Sequence, residues 1–131
     1  MTMHMLSDGE WKLMKLLWQK SPRTIGELVS QLEHDTGWSK TTIFVMLKRL
    51  ISKGAVRVDN SGRIQQYYPL IERGDAAHSE TDSFLTRVYD GSVGMLVSSL
   101  AGRKALSQKE IDELRRILDE AEEKGKETGK K

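Results

Sequence analysis

The sequence predicts a mainly α-helical protein of the α+β class, in which a small β-hairpin follows three helices and precedes a second helical region. Two observations support this class. Three helix-start tetrapeptides each precede an amphipathic run, and residues 55–69 instead alternate polar and apolar side chains around a turn. The 131 residues suffice for one substantial core and a smaller appended region.

Capping boxes predict the first two helices. In Ser7-x-x-Glu10 and Thr24-x-x-Glu27, a hydroxyl and a carboxylate have the spacing that satisfies free backbone N–H groups at a helix start. The first helix is expected to end near Lys20, because Ser21-Pro22 follows. The second helix carries an apolar core stripe, formed by Ile25, Leu28, Val29 and Leu32.

A third helix is predicted after Ser39, its N-cap, and before Gly54, which is placed to end it in a left-handed conformation. Its core-facing side comprises Ile43, Met46, Leu47 and Leu50. The opposite side has no carboxylate and comprises Thr41, Phe44, Val45, Lys48 and Ser52, with Thr42 and Arg49 at its edge. Trp38, just before this helix, is expected to pack against the core with its indole N–H near the backbone.

The hairpin is predicted from "AVRVD", the turn "NSG" and "RIQQYYP", which together span residues 55–69. A ribbon of two short strands is marginal alone, so it must lean on the preceding helices. Three helices followed by a small hairpin form the layout of a winged helix-turn-helix. We assign this domain to residues 1–72.

Charge predicts what the third helix and the hairpin contact. Residues 36–63 contain six cations and one acid, Asp59, a net charge of +5 on a chain whose total is only +2. Such a local cationic surface indicates phosphate-backbone binding, although an ordinary solvated face is the alternative. The candidate contacts to duplex DNA are Ser39, Lys40, Thr41, Thr42, Phe44, Val45, Lys48, Arg49 and Arg63.

These candidates differ in their expected roles. Hydroxyl and apolar groups suit base edges and thymine methyls, whereas Lys48 and Arg49 can reach phosphate or guanine. Phe44 has a packing alternative, against the ribbon or the second helix. Arg49 has a structural alternative, pairing with a helix end or with Glu27 or Glu33.

Residues 73–123 are predicted to form a helical dimerisation region. Two apolar helical stretches are broken at Asp90-Gly91, and a third capping box, Ser107-x-x-Glu110, opens a helix with the stripe Ile111, Leu114, Leu118 and Ala121. The charged tail at 124–131 is expected to be disordered.

Helices this short cannot bury so much apolar surface on themselves. A second copy of the same helices would bury it in an isologous dimer, and folding back on the N-terminal domain is the alternative. The candidate dimer residues are Phe84, Leu85, Val88, Tyr89, Leu96, Leu100, Leu114 and Leu118.

Other classes of protein lack support. The chain has no cysteine, no apolar run that could cross or anchor in a membrane and no signal peptide core, which favours a cytoplasmic protein without direct membrane binding. His4, His34 and His78 are scattered, and His78, Glu80 and Asp82 do not share a helix face. We therefore expect no enzyme, no metal site and no cofactor.

Five segments carry a resemblance to a known family: "LSDGEWKLMKLLW", "TTIFVMLKRLISKGAV", "GRIQQYYPLI", "SFLTRVYDGSVGMLVSSL" and "LSQKEIDELRRIL". Together they resemble the penicillinase and methicillin-resistance repressor family (BlaI/MecI) over essentially the whole chain except the tail. The resemblance implies a homodimeric DNA-binding repressor with an N-terminal winged helix. It also implies an operator built on a TACA/TGTA dyad upstream of β-lactamase and sensor genes.

In antibiotic-responsive members of that family, a membrane sensor with a zinc-protease domain triggers cleavage of the repressor in its dimerisation part. A sensor protease is therefore a candidate partner, and by position the cleaved Asn-Phe bond falls on Ser99-Leu100, where both residues differ. The Cys-x-Cys pair of copper-responsive relatives is absent. Thr41 and Phe44 replace cationic side chains of the methicillin-type repressors, so a different operator sequence is expected.

Two further functions stay open from the sequence. One is a winged helix used as a protein-interaction module, and the other is a repressor that responds to a small ligand and is not controlled by proteolysis.

Overall fold

The computed structural model describes residues 5–103 and 106–127, and within them the predicted order of elements is confirmed. The elements are α1 (Asp8–Gln19), α2 (Ile25–Thr36), α3 (Lys40–Ser52), β1 (Val56–Asp59), β2 (Gln66–Pro69), α4 (Arg73–Tyr89), α5 (Val93–Arg103) and α6 (Gln108–Glu127). The chain divides into two compact units, Met1–Ser83 and Phe84–Lys131. The predicted boundary between residues 72 and 73 coincides with the start of α4, whereas the units divide inside that helix.

All three predicted capping boxes are present. At the start of α1, Ser7 Oγ accepts from the Glu10 backbone N–H (3.2 Å) and Glu10 Oε1 accepts from the Ser7 N–H (2.8 Å). The same reciprocal pair of hydrogen bonds opens α2 at Thr24 and α6 at Ser107. Each box satisfies two backbone donors that the helix itself leaves unpaired.

The turn from α3 into β1 depends on Gly54, which has φ +80° as predicted. The Gly54 N–H donates to the Ile51 carbonyl (3.0 Å), and the Ala55 N–H donates to the Leu50 carbonyl (2.9 Å). This pair of bonds is a Schellman motif, and its left-handed residue is one that glycine adopts without a steric penalty. The motif ends α3 and directs the chain into the hairpin.

The core of the first unit lies where the stripes of α1, α2 and α3 meet. The predicted stripe of α3 is confirmed, since Ile43, Leu47 and Leu50 are fully buried and Met46 is nearly so. In α2, Leu28 and Leu32 are buried. The remaining buried core side chains on the helices and strands of this unit are Leu13, Met14, Leu17, Val56, Tyr67 and Ala76.

The hairpin is shorter than predicted. β1 and β2 pair antiparallel from Val56↔Pro69 to Asp59↔Gln66, so the second strand starts at residue 66 and not at residue 63. The ladder stops there because Asp59 Oδ1 accepts from the Ser61 N–H (2.9 Å) and turns the chain. Residues 60–65 form the connection.

The linker between α1 and α2 supports the hairpin. The Arg23 N–H donates to the Tyr67 carbonyl (3.1 Å), and the Tyr67 N–H donates to the Arg23 carbonyl (2.8 Å). The Arg23 side chain turns the other way, and its Nε donates to the Leu16 carbonyl (2.9 Å). The expectation that the ribbon leans on the preceding helices is thus confirmed, through a backbone bridge that the sequence pattern did not reveal.

An ion pair between a buried carboxylate and a partly exposed lysine joins the start of α1 to the end of α3. Lys53 Nζ donates to Glu10 Oε1 and to the Met5 carbonyl (2.7 Å), and Glu10 is only 1% exposed. Burial opposes ionisation of Glu10, but hydrogen bonds from Lys53 and Ser7 outweigh it and lower the pKa of the carboxyl.

The second unit keeps its apolar surface open. Neither α5 nor α6 has a buried residue among those the structure describes. Asp90 (φ 51°) and Gly91 (φ 83°) end α4 where a break was predicted. Within the described ranges, no helix is long and apolar enough to cross a membrane.

The expectation of a disordered tail from residue 124 is wrong for residues 124–127, which continue α6 to Glu127. Lys124 and Lys126 lie in its last turn, where cations interact favourably with the helix dipole. The rest of the predicted tail, residues 128–131, lies outside the described residues.

Glu10→Gln tests the ion pair. Glutamine keeps the capping geometry but removes the charge that Lys53 binds, so the free energy of unfolding should fall by about 1–3 kcal/mol in urea titrations at neutral pH. Glu27→Gln is the matched control, since it alters an equivalent capping box whose carboxylate is exposed, and its effect should be clearly smaller. Equal effects of the two variants would contradict a special role for the Glu10–Lys53 pair.

The free energy of unfolding should depend on pH through the Glu10–Lys53 ion pair. The pKa of Glu10 is lower in the folded chain than its ordinary value of 4.5, so its contribution is complete above that pH and is lost as the pH falls through the lowered pKa. The difference in unfolding free energy between the wild type and Glu10→Gln should therefore shrink below pH 4.5. A difference that stays constant down to acid unfolding would contradict this assignment.

Candidate nucleic-acid interface

The outer face of α3 is open and has no acidic residue. With Ile43, Leu47 and Leu50 buried, the 3.6-residue period of the helix turns the opposite side chains outward. Phe44 and Val45 are 40% and 42% exposed, so apolar side chains belong to this open face. The exposed predicted contacts on this helix are Lys40, Thr41, Thr42, Phe44, Val45, Lys48 and Arg49.

Ser39 has a structural task at the start of this face. Its Oγ accepts from the Thr42 N–H (3.2 Å), so it is the predicted N-cap of α3, and it also lies 3.2 Å from the Thr42 hydroxyl. The two hydroxyls therefore hold each other at the exposed beginning of the helix. Such a terminus also presents free backbone N–H groups, which favour an anion.

Phe44 and Lys48 form one group on the outer face. Lys48 Nζ lies over the Phe44 ring, 5.4 Å from its centroid, one turn further along the helix. Phe44 also borders a shallow depression with Ile25, Lys40 and Thr41, so one part of the ring faces α2 and the rest faces solvent. Both readings of Phe44, contact and packing, thus have structural support.

A second shallow depression lies on the other side of Thr41. Trp38, Val45 and Arg49 border it. Trp38 packs against the core as expected. Arg49 is exposed, and within residues 5–103 and 106–127 it makes no ion pair with Glu27 or Glu33, so its structural alternative finds no support.

One of the six cations counted in residues 36–63 is not available on the surface. Lys53 is bound to Glu10, which removes it from the set available to a ligand. Arg63 is exposed in the connection between the strands, next to the exposed Ile64. Hydrogen bonds from Ser61, together with the charge of Arg57, lower the pKa of Asp59. Asp59 is therefore ionised at neutral pH.

Arg57 and Tyr68 on the hairpin were not among the predicted contacts. They are cross-strand partners, and the Arg57 guanidinium carbon lies 3.9 Å from the Tyr68 ring centroid. The sequence contains both residue types, but their pairing depends on a strand register that the turn length sets.

The predicted dimer residues lie on the second helical region with their apolar side chains largely uncovered. Phe84, Val88, Leu100, Leu114 and Leu118 are 37–66% exposed. Leu85, Tyr89 and Leu96 are half-buried, and Tyr89 contacts Phe84 edge-on at 5.8 Å. The exposed apolar set also includes Val93, Met95, Val97 and Ile117, the last of which the predicted stripe of α6 omitted.

Two further predictions concern the cleavage bond and metal binding. The Ser99–Leu100 bond lies inside α5, so a protease could reach it only after local unwinding. Among the described residues, no three histidine, cysteine, aspartate or glutamate side chains are placed to hold a metal ion. His4 lies outside those residues.

The sequence is similar to known repressors over nearly its whole length. A family model described as penicillinase repressor matches residues 6–120. The penicillinase repressor of Bacillus licheniformis is 37% identical over 122 residues, which are 93% of this chain and 95% of that protein. The methicillin resistance regulatory protein MecI of Mammaliicoccus sciuri is 32% identical over 114 residues, 87% of this chain and 93% of that protein.

A solved structure resembles the N-terminal part. The Bacillus licheniformis BlaI monomeric form in complex with the blaP half-operator is 36% identical, with a TM-score of 0.50. The match covers 56% of this chain and 90% of that chain.

Replacing Phe44 by alanine separates its two roles. If the exposed part of the ring reads a base, Phe44→Ala should relax preference at one or two positions of a selected duplex by about 1–3 kcal/mol per base pair, with little change in melting temperature. Sequencing of DNA bound from a random pool and calorimetry measure the two effects. Leu70→Ala, which removes an exposed apolar side chain outside α3, should leave base preference unchanged. A lower melting temperature with an unchanged preference would make Phe44 a packing residue.

Proposed function

The chain belongs to the penicillinase repressor family, and from this membership and the geometry of α3 we propose that it is a homodimeric transcriptional repressor that binds a dyad operator in duplex DNA. The family is one of transcriptional repressors, which in general are not enzymes. We propose the cytoplasm as the place of action, because the operator DNA is there. The likeness to BlaI in complex with the blaP half-operator supports the choice of ligand.

One observation carries the DNA assignment. The outer face of α3 combines exposed hydroxyl, apolar and cationic side chains and has no acid. Phosphates would repel a carboxylate on this face, whereas base edges and thymine methyls suit the groups that are there. We therefore place Thr41, Thr42, Phe44 and Val45 at base edges, and Ser39, Lys40, Lys48, Arg49 and Arg63 at phosphates or guanine.

The dimer is proposed from the uncovered apolar surface of the second helical region. Leu114, Ile117 and Leu118 lie on one side of α6 and are each at least 37% exposed. Contiguous apolar surface of this kind marks an interaction site, and a second copy of the same face covers it with two-fold symmetry. Two winged helices held in this way would meet half-sites about 34–36 Å apart, or a multiple of that distance.

Release from DNA is proposed to act on the same region. Weakening the dimer contact removes the gain from effective concentration, so each half-site is bound alone. A sensor protease that cut near Ser99–Leu100 in α5 would act in this way, and so would a small ligand that separated the helices. Both routes predict release without any change in α3.

Salt dependence tests the DNA assignment. With several cations of each protomer at phosphates, the slope of log affinity against log salt should be on the order of −5 to −10. Lys48→Ala and Arg63→Ala should each reduce the slope of the dimer by about 2, one contact per protomer, and weaken binding to all sequences alike. Lys109→Ala, on α6, should change neither quantity. A wild-type slope near zero would instead favour a protein-interaction module.

A charge on the apolar side of α6 tests the dimer. Leu118 is 66% exposed, so Leu118→Glu should leave the protomer folded, whereas a glutamate in the dimer contact would be unpaired. We expect a molar mass of one chain by sedimentation equilibrium and an operator affinity lower by a factor of about 100 or more. Lys109→Glu places the same side chain on the polar side of α6 and should preserve both. A variant Leu118→Glu that remained dimeric would contradict this interface.

A further inference from the structure

We propose that Arg57 is a pre-oriented phosphate contact of the hairpin and that Tyr68 is its positioning residue. This inference rests on the proposed DNA-binding function and adds a contact on the strands of the hairpin to those already proposed for α3 and for Arg63. It depends on three features of the structure, which are the stacked geometry, the free donors of the guanidinium and the composition of the hairpin face.

The Tyr68 ring contacts one face of the Arg57 guanidinium and leaves its other face open. Arg57 and Tyr68 face each other across the ladder, and the guanidinium carbon is 3.9 Å from the centre of the aromatic ring. At this distance the ring face attracts the cation and limits the rotamers of a long side chain. The five N–H groups lie in the plane of the guanidinium, so stacking on its face leaves them available.

Those donors have no protein partner in the part of the chain that the structure describes. Arg57 is exposed, and none of its N–H groups donates to a protein acceptor there. Arg23, another arginine of the first unit, is the useful comparison. It is 7% exposed, and its guanidinium donates to the Leu16 carbonyl and to Gln19. Arg23 therefore has a structural function, whereas Arg57 presents an oriented fork to solvent, the shape that binds a phosphate.

The alternation of the strands divides the hairpin into two faces. Val56, Val58 and Tyr67 point to the core, so Arg57 and Tyr68 point away from it. Asp59 lies two residues from Arg57 on the same outer face, and its carboxylate accepts from the Ser61 N–H. Asp59 is an ionised carboxylate beside the proposed phosphate contact, so it should weaken that contact.

The two aromatic supports of the cationic surface are not equivalent. Lys48 lies 5.4 Å from the centre of the Phe44 ring, whereas Arg57 lies 3.9 Å from the centre of the Tyr68 ring. The Arg57–Tyr68 pair is the closer of the two, and its side chain is therefore the more restricted one. Its contribution to binding should come from having the side chain ordered before the DNA arrives.

The test is DNA binding by the full-length chain, measured against a selected duplex over a range of salt concentrations. Arg57→Ala should lower the affinity of the dimer for all sequences by about 3–10-fold and reduce the salt slope by about 2, because each of the two protomers loses one phosphate contact. Tyr68→Leu should lower affinity by about 2–10-fold with an unchanged slope, because the charge remains while its order is lost. Tyr68→Phe keeps the ring face and should bind like the wild type. Asp59→Asn should bind more tightly, since it removes a repulsion.

A double-mutant cycle separates positioning by Tyr68 from a merely structural role. In the Arg57→Ala background, Tyr68→Leu should have no further effect on affinity, because Tyr68 then has no cation to orient. Additive losses would overturn the positioning role, and so would an Arg57→Ala variant that binds like the wild type while Lys48→Ala is weakened. If the wild-type chain binds no duplex, the proposed function fails, and this inference fails with it. Failure of the inference alone would instead leave wild-type DNA binding intact, so the two failures are distinguishable.

Discussion

The surface of α3 depends on how the helix is held in the core. Ile43, Leu47 and Leu50 are completely buried, and because a helix repeats every 3.6 residues, their burial determines the direction of every other side chain on it. A small rotation of α3 about its axis would expose part of this stripe and turn Phe44 inward. The capping bonds of Ser39 and the left-handed Gly54 fix the two ends of the helix, so the outer face is presented in one orientation.

Side-chain contacts further divide the cations of the first unit into those bound to protein acceptors and those available to a ligand. Lys53 and Arg23 both use their side chains on protein acceptors, the first on the buried carboxylate of Glu10 and the second on the Leu16 carbonyl. Lys48 and Arg57 instead lie over aromatic rings, which restrict them without neutralising their charge. Net charge alone does not reveal which cations are already bound to protein acceptors. Only the unbound cations can contact a phosphate.

The two compact units satisfy their apolar side chains differently. In the first unit, three helices and a hairpin enclose a core that includes Leu13, Leu28 and Tyr67. In the second, α5 and α6 contain no buried residue in the described part, so their apolar stripes are available to a partner. A repressor of this design would thus keep its DNA-reading fold independent of the contact that sets half-site spacing.

The sequence by itself determined the features that depend on near neighbours. The three capping boxes, the stripe Ile43–Leu50, the left-handed Gly54 and the break at Asp90-Gly91 all follow from residues within one or two helical turns, and such patterns are local. The outer face of α3 was predictable for the same reason, since it is the side of the helix opposite the buried apolar stripe.

Tertiary structure decided the pairings between distant residues. Lys53 meets Glu10 across 43 positions, and Tyr67 bridges to Arg23. Arg57 meets Tyr68 because the strand register makes them direct partners. Periodicity shows which side of an element a residue occupies, but not which element lies opposite or in which register. The strand register and the packing of α1 on α3 supply that information, and they arise from the burial of the whole core at once.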